Sequence, residues 1–387
     1  MKGDRLRQLR LARGFTLEGL AARMGGVVTK QALSKYEQGK AQPTALVLTK
    51  LAAALGVKAV HLWTDPEVHV AFVAYRRRSS LRKMERERVE ALTKHMLEQR
   101  VRLQVLTGQG DGSKLPVRGL RAKTLEDAER RAEDLRVQWD LGLAAIASVV
   151  DVLEEHFVHV LEIDAKETFD GTSAVAYNDA HGLAAAAVVT RRGLPGERQR
   201  LSLAHELGHL VLNTADTVDE EDAAFRFGGA FLVPAAVLRQ QVGLKRSLID
   251  LGELFLLREQ FGMSIQALLY RLRDLRIITE SYYKQWCKDI SQLGWKKREP
   301  REAQPERPRW ARRTVRRALA QGLVTQDEAE NVLGEELKAE LPLSLVERRA
   351  FMKLPLQERR RILARQAEAA AAYAEEDYAD WKHLQGG

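Results

Sequence analysis

Residues 197–214, ERQRLSLAHELGHLVLNT, set His205-Glu206-x-x-His209 inside an otherwise apolar run. On an α-helix, residues four apart differ by about 400°, so His205 and His209 leave one face about 40° apart and can meet one tetrahedral ion. Glu206 sits about 100° further round, off that ligand axis but within reach of water at the ion. Zinc lowers the pKa of such water toward about 7, and a neighbouring carboxylate can take the proton. The tetrad alone occurs by chance in many helices. Here Leu201, Leu203, Ala204, Leu207, Leu210 and Val211 would bury the other sides, and two imidazoles and a carboxylate are costly to bury without partners. A catalytic zinc needs a third protein ligand and an open position. Position 215 is Ala, which rules out a third histidine at the HExxHxxGxxH spacing; Asp216, Asp219, Glu220, Glu221 and Asp222 remain open.

Three strand-like runs precede the tetrad: FVHVLEI (157–163), TSAVAYN (172–178) and AAAAVVT (184–190). Thr124 with Asp127 has capping-box spacing and opens a helix running to about Trp139, and another covers roughly 144–156. After the tetrad, an acidic loop leads into AAFRFGGAFLVP, and further helices run to about Trp295. The fold class expected is mainly α with a small β-sheet (α+β). The Gly-rich stretch 107–119 is the best boundary, and EPREAQPERPRW (299–310), with three prolines, reads as a linker. Residues 76–105 are charged, helical in pattern, and too poor in apolar positions for a core of their own.

Of the 387 residues, 45% are hydrophobic and 30% charged, and the one cysteine, Cys287, excludes a disulfide framework or a Cys-rich zinc site. No run approaches the ~18 apolar residues of a membrane span. The expected location is the cytoplasm, with no membrane partner. The net charge of +9 is concentrated: residues 1–64 hold eleven Lys and Arg against Asp4, Glu18 and Glu37, a net +8. That is an electrostatic footprint for a polyanion, most simply double-stranded DNA. The same residues carry four or five short helical patterns, punctuated by Gly14, Thr16, Gly25-Gly26, Gly39 and Pro43-Thr44. This is the layout of a helix-turn-helix domain.

Several ordered motifs extend the tetrad: Phe169-Asp170-Gly171, GERQRLSLAHELGHLVL, EDAAFRFGGAFLVP, and RLRDLRIITESYY with GWKKREP beyond. Through them, residues 124–295 resemble the ImmA/IrrE family of metallopeptidases, in the long form fused to an N-terminal Xre-type helix-turn-helix. The resemblance implies a gluzincin-like domain, Zn2+ as cofactor, His205 and His209 as ligands and Glu206 as general base. It places the third ligand six residues before the Phe of its RFA segment; that Phe is Phe227 here, and the ligand is Glu221. Phe225 stands where the family usually has Asn or His, and Gly228-Gly229 where one Ala is usual. Tyr177 is weighed as an oxyanion donor against an ordinary strand aromatic, the second being favoured. Thr29 to Gly39 resembles an Xre-type recognition helix, with Leu33 buried and Lys30, Gln31, Ser34 and Lys35 facing DNA. The family often has Gln where Leu17 stands.

The expected organisation is a helix-turn-helix domain at 1–64, a charged helical connector and Gly-rich linker at 65–123, a zinc metallopeptidase domain at 124–298, and a Pro-rich linker with a helical, protein-contacting tail at 299–387. The expected function is a DNA-binding transcriptional regulator whose peptidase domain cleaves a repressor or antitoxin-like protein; a homodimer is left open. Two rivals are a DNA-binding regulator with a structural or sensory zinc site, and an antitoxin-like module acting through its C-terminal helices. His156, His159 and His181 lack ligand spacing and are expected in ordinary surface or loop roles. The Arg-rich runs 76–88 and 307–317 read as solvated helix faces.

Overall fold

The N-terminal helices start and stop where their side chains dictate. In a computed structural model, which describes residues 1–64, 68–73, 82–110, 114–169, 171–335, 337 and 345–364, they are α1 (Gly3–Ala12), α2 (Leu17–Arg23), α3 (Lys30–Glu37) and α4 (Ala45–Leu55). The hydroxyls of Thr16, Thr29 and Thr44 accept from the backbone N–H groups of Gly19, Ala32 and Val47, satisfying donors no helix can satisfy internally. Gly14, Gly25, Gly26 and Gly39 all take left-handed φ between helices, at +69° to +71°. Leu6, Leu9, Leu20, Leu33, Leu51 and Leu55 fill the core between them. Arg10, itself buried, fastens α1 to the end of α3 through a paired contact with half-buried Glu37 at 2.6 and 2.9 Å.

Among the described residues between 65 and 123, β1 and α5 belong to the body and are not a free connector. β1 (His69–Phe72) joins a mixed sheet, and α5 (Lys83–Leu106) lies across one face of it, its Val89, Leu97 and Val101 packed with Leu161, Ala174 and Ala187. The charged sequence of α5 has too few apolar positions for its own core because it contributes one side of a shared one. It also receives the N-terminal domain, through Arg5 to Glu98 at 2.6 Å and Arg7 to Glu87 at 3.0 Å. The sheet has the order β1-β4-β5-β3, with β3 (Val158–Ile163), β4 (Gly171–Tyr177) and β5 (Leu183–Arg191) close to the three expected runs. β4 pairs antiparallel with both β1 and β5, while β3 and β5 are parallel. A short parallel pair links β2 (Leu120–Ala122) to β6 (Leu212–Thr214).

The opposite face of the sheet carries the larger core. It gathers α6 (Leu125–Gln138), α7 (Val149–Glu155), α8 (Gly196–Val211), α9 (Glu220–Leu232), α10 (Ala235–Val242), α11 (Leu251–Phe261), α12 (Ile265–Asp274) and α13 (Glu280–Gln292). The Thr124–Asp127 capping box at the start of α6 is present in both directions. A buried ion cluster ties α6, α9 and α12 together: Glu129 accepts from Arg271 at 2.6 and 3.1 Å and also pairs with Arg226.

The Pro-rich stretch 299–310, read from sequence as a linker, is a strap fixed to the body. Glu306 accepts from Val150 N at 2.8 Å and pairs with Arg200, and its own backbone exchanges hydrogen bonds with the Gln199 side chain at 2.7 and 2.8 Å. Glu154 accepts from the N–H groups of Arg309 and Trp310. Prolines here hold an extended path and lower its entropy; they do not mark loose chain. His159, expected in a surface or loop role, is fully buried on β3 and bonds Gln104 at 2.7 Å.

Unit Ala311–Gly387 is separate. α14 (Trp310–Ala320) leads into it, followed by α15 (Gln326–Leu333), opened by a Thr325–Glu328 capping box, and α16 (Leu345–Lys353). Asp170, part of the run 76–88, and the tail beyond 364 lie outside the described residues. No helix among the described residues is long and apolar enough to cross a membrane.

Candidate metal centre and exposed helix

α8 is held at both ends. Its first residue, Gly196, donates to Ala303 O of the strap at 3.0 Å, and a Cβ there would stand 2.5 Å from Gln304 O. Glu197, buried in the first turn where the helix dipole favours a carboxylate, pairs with Arg258 at 2.6 Å and accepts from Ala303 N. At the other end Arg118 N donates to the Leu210 carbonyl at 2.8 Å, and the chain passes into β6. Leu203, Ala204, Leu207, Leu210 and Val211 are fully buried.

From this fixed helix His205 and His209 turn toward the first turn of α9. Their Nε2 atoms are 3.1 Å apart, and Glu221 brings Oε2 to 3.5 Å from His205 Nε2 and Oε1 to 3.6 Å from His209 Nε2. Asp219 caps α9 by accepting from Glu221 N and Asp222 N, which fixes where Glu221 leaves the helix. Zinc bonds of about 2.0–2.1 Å at tetrahedral angles require donors about 3.3 Å apart, so the three donors fit that ion. Among the described residues, this is the group of His, Cys, Asp and Glu side chains close enough to hold a metal. Burial pushes the His209 imidazole down to about 4, helped by His205 and Arg118 and opposed by Glu221, so it is a neutral donor.

α8 and α9 approach through glycine. A Cβ at Gly208 would stand 3.1 Å from Ala224 Cα, and one at Gly228 would stand 3.0 Å from His205 N. Gly228 therefore has a steric reason for its departure from Ala. Phe225 stacks at a tilt on His205, ring centroids 4.3 Å apart. On the sheet side, Gly171 leaves room for Glu206: a Cβ there would lie 2.9 Å from Glu206 Oε1. Tyr177 is at the other end of β4, six residues or about 20 Å along the strand, too far from Glu206 to serve as an oxyanion donor there. Arg118, which carried no signal in the sequence, stands close enough to His209 to affect its proton affinity.

In the N-terminal domain the outer face of α3 is open. Lys30, Gln31 and Lys35 are exposed and Ser34 is half-buried, while Leu33 is fully buried beneath them. Lys30 also pairs with Glu18 of α2 at 2.9 Å in solvent. Leu17 packs against the domain core.

These features define two classes of domain, a helix-turn-helix module and an α+β body with a two-histidine, one-glutamate centre. Residues 6–62 match a helix-turn-helix family, and residues 154–273 match the family described as the IrrE N-terminal-like domain. Over 57 residues the chain is 42% identical to an SPbeta prophage-derived uncharacterized HTH-type transcriptional regulator, YonR, of Bacillus subtilis (strain 168). That match covers 15% of this chain and 51% of the relative, so the chain spans about half the length of the curated protein it matches. The chain thus joins an Xre-type helix-turn-helix domain to an IrrE/ImmA-like, metallopeptidase-like domain.

Proposed function

We propose that this chain is a DNA-binding transcriptional regulator with a zinc peptidase centre, whose substrate is a repressor or antitoxin-like protein. The observation that carries the reading is the convergence of His205, His209 and Glu221 at 3.1–3.6 Å. Zinc at these donors would supply Lewis acidity for a peptide carbonyl and acidify water. Glu206, next in sequence to a ligand and seated over Gly171, takes the proton of the attacking water on its carboxylate and returns it to the leaving amine. The +8 charge of residues 1–64 and the open face of α3 support DNA binding, with Lys30, Gln31, Ser34 and Lys35 as the contacting set.

Two variants of the full chain test the centre. Glu221→Ala should lose zinc measured by metal analysis, because two imidazoles hold it poorly; full retention would move the role to another acid. Glu206→Gln should keep zinc and abolish cleavage of any target protein. If a target is cut as fast by this variant, the proposed chemistry is wrong. Zinc binding without any cleavage across a lysate would favour the sensory role.

A further inference from the structure

β1 occupies a conspicuous place. Without it, β4 would be an edge strand with its backbone N–H and C=O groups free to pair with another chain. β4 is also the strand whose first residue, Gly171, lies against Glu206. β1 runs antiparallel along it, His69 opposite Tyr177 and Phe72 opposite Ala174, so it advances toward the Gly171 end. Val73 then donates to Ser173 O at 2.9 Å, two residues or about 7 Å along β4 from Gly171. The Val73 carbonyl accepts from Arg118 Nη2 at 3.4 Å, the same arginine whose backbone N–H donates to Leu210 O, next to His209.

The side chains of β1 alternate in the way an added strand requires. Val70 and Phe72 are half-buried against the α5 side of the sheet, and His69 and Ala71 are exposed. We propose that the outer edge of β4 is the seat for an extended segment of a substrate protein, and that β1 fills this seat as an internal stand-in that must leave before a substrate enters. The inference rests on the peptidase reading for what the bound segment is, and on geometry alone for where it lies. β1 follows the helix-turn-helix domain directly in sequence, and that domain is itself docked on α5. The stand-in is therefore tethered to the DNA-facing module.

The test reads binding rather than cleavage, in the zinc-loaded full chain carrying Glu206→Gln, with fluorescein-labelled unfolded β-casein as the probe. Val73 and Ser173 form a hydrogen-bonded pair, so the alternation of an antiparallel ladder puts Ala71 in the next such pair and Val70 opposite Ala176 in a non-hydrogen-bonded one. Ala71→Pro removes a ladder N–H and should tighten casein binding about tenfold or more, read by anisotropy. Val70→Cys with Ala176→Cys, in a Cys287→Ser background, can cross-link β1 to β4. The oxidised form should bind casein at least about tenfold more weakly than the reduced form. Equal binding by oxidised and reduced forms overturns the proposal, whatever Ala71→Pro does. If binding follows β1 as expected but zinc-loaded Ala71→Pro protein retaining Glu206 cuts neither casein nor any protein of a lysate, the occupied edge stands and the peptidase reading falls.

Discussion

Gly208 on α8 touches Ala224 on α9 so closely that a Cβ at 208 would stand 3.1 Å from the Ala224 Cα and 3.2 Å from its carbonyl oxygen. This contact sets the spacing between the helix bearing both histidines and the helix bearing Glu221. We expect Gly208→Val to force the helices apart and destabilise the fold by about 1–3 kcal/mol. Zinc affinity, measured by competition with a chelating dye, should fall by at least about tenfold, since a few tenths of an ångström spoil the three-donor fit. Gly208→Ala should be milder, because its better helix propensity offsets about 1 kcal/mol. A Val variant with wild-type affinity would show that Glu221 follows the histidines independently of this contact.

The Glu129 cluster should be one of the stiffest points of the body. Burial, the largest influence, favours its neutral acid, yet Arg271 and Arg226 hold the carboxyl below its ordinary 4.5. Its stabilising contribution is present above the unfolded value and is lost as pH falls through the folded one. Glu129→Ala leaves two buried guanidinium groups without their carboxylate and should cost about 3–5 kcal/mol in urea unfolding.

His159 should make the protein acid-sensitive at a higher pH. Its Nε2 faces Gln104 Oε1, because the Gln104 amide nitrogen donates to Gly110 O and Ala184 O, so Nε2 carries the proton and Nδ1 does not. Burial, then the charge of Arg100, holds this imidazole neutral well below 6.5. The unfolded chain gains a proton near 6.5 that the folded chain refuses, so stability falls as pH drops below that value, by up to about 1.4 kcal/mol per pH unit. His159→Gln keeps the donor and removes the titration. Urea unfolding at pH 7 and pH 5 should show a smaller loss in the variant.

Under the DNA-binding reading, residues 1–64 should carry most of the affinity for duplex DNA, and binding should weaken steeply with salt. Gln31→Ala should relax preference at one base pair by about 1–3 kcal/mol. Lys35→Ala should weaken all sequences alike and reduce the salt slope by about 1. Equal effects of both variants on every sequence would place Gln31 on the backbone.

What the sequence disclosed follows from how local each signal is. Thr16, Thr29 and Thr44 cap helices with their own side chains, and Gly14 and Gly39 end them with their own φ, so α1 to α4 could be read directly. The runs at β3, β4 and β5 carry their own apolar content. β1, β2 and β6 are three or four residues long and are strands only because a partner lies beside them. α5 is legible as a helix without its own core but not as part of the body, and the strap reads as a linker, because their cores belong to other segments. His205 and His209 are a helical turn apart and legible; Glu221 needed a resemblance, because α9 brings it back from beyond a loop. Arg118 offered no pattern at all, being placed by Leu210 and by the β2–β6 pair.

The strap bears on where this protein can be cut. Arg258 donates hydrogen bonds to Glu197 and to the carbonyls of Pro300 and Arg301, and Glu299 accepts from Ile265 N at the start of α12. A fragment ending at Arg298 would strip the Pro300 and Arg301 carbonyls from an arginine that is 2% exposed, leaving it Glu197, and would bare the first turn of α8. The autonomous folding unit therefore extends at least to Trp310, well past the 154–273 stretch by which its relatives are recognised.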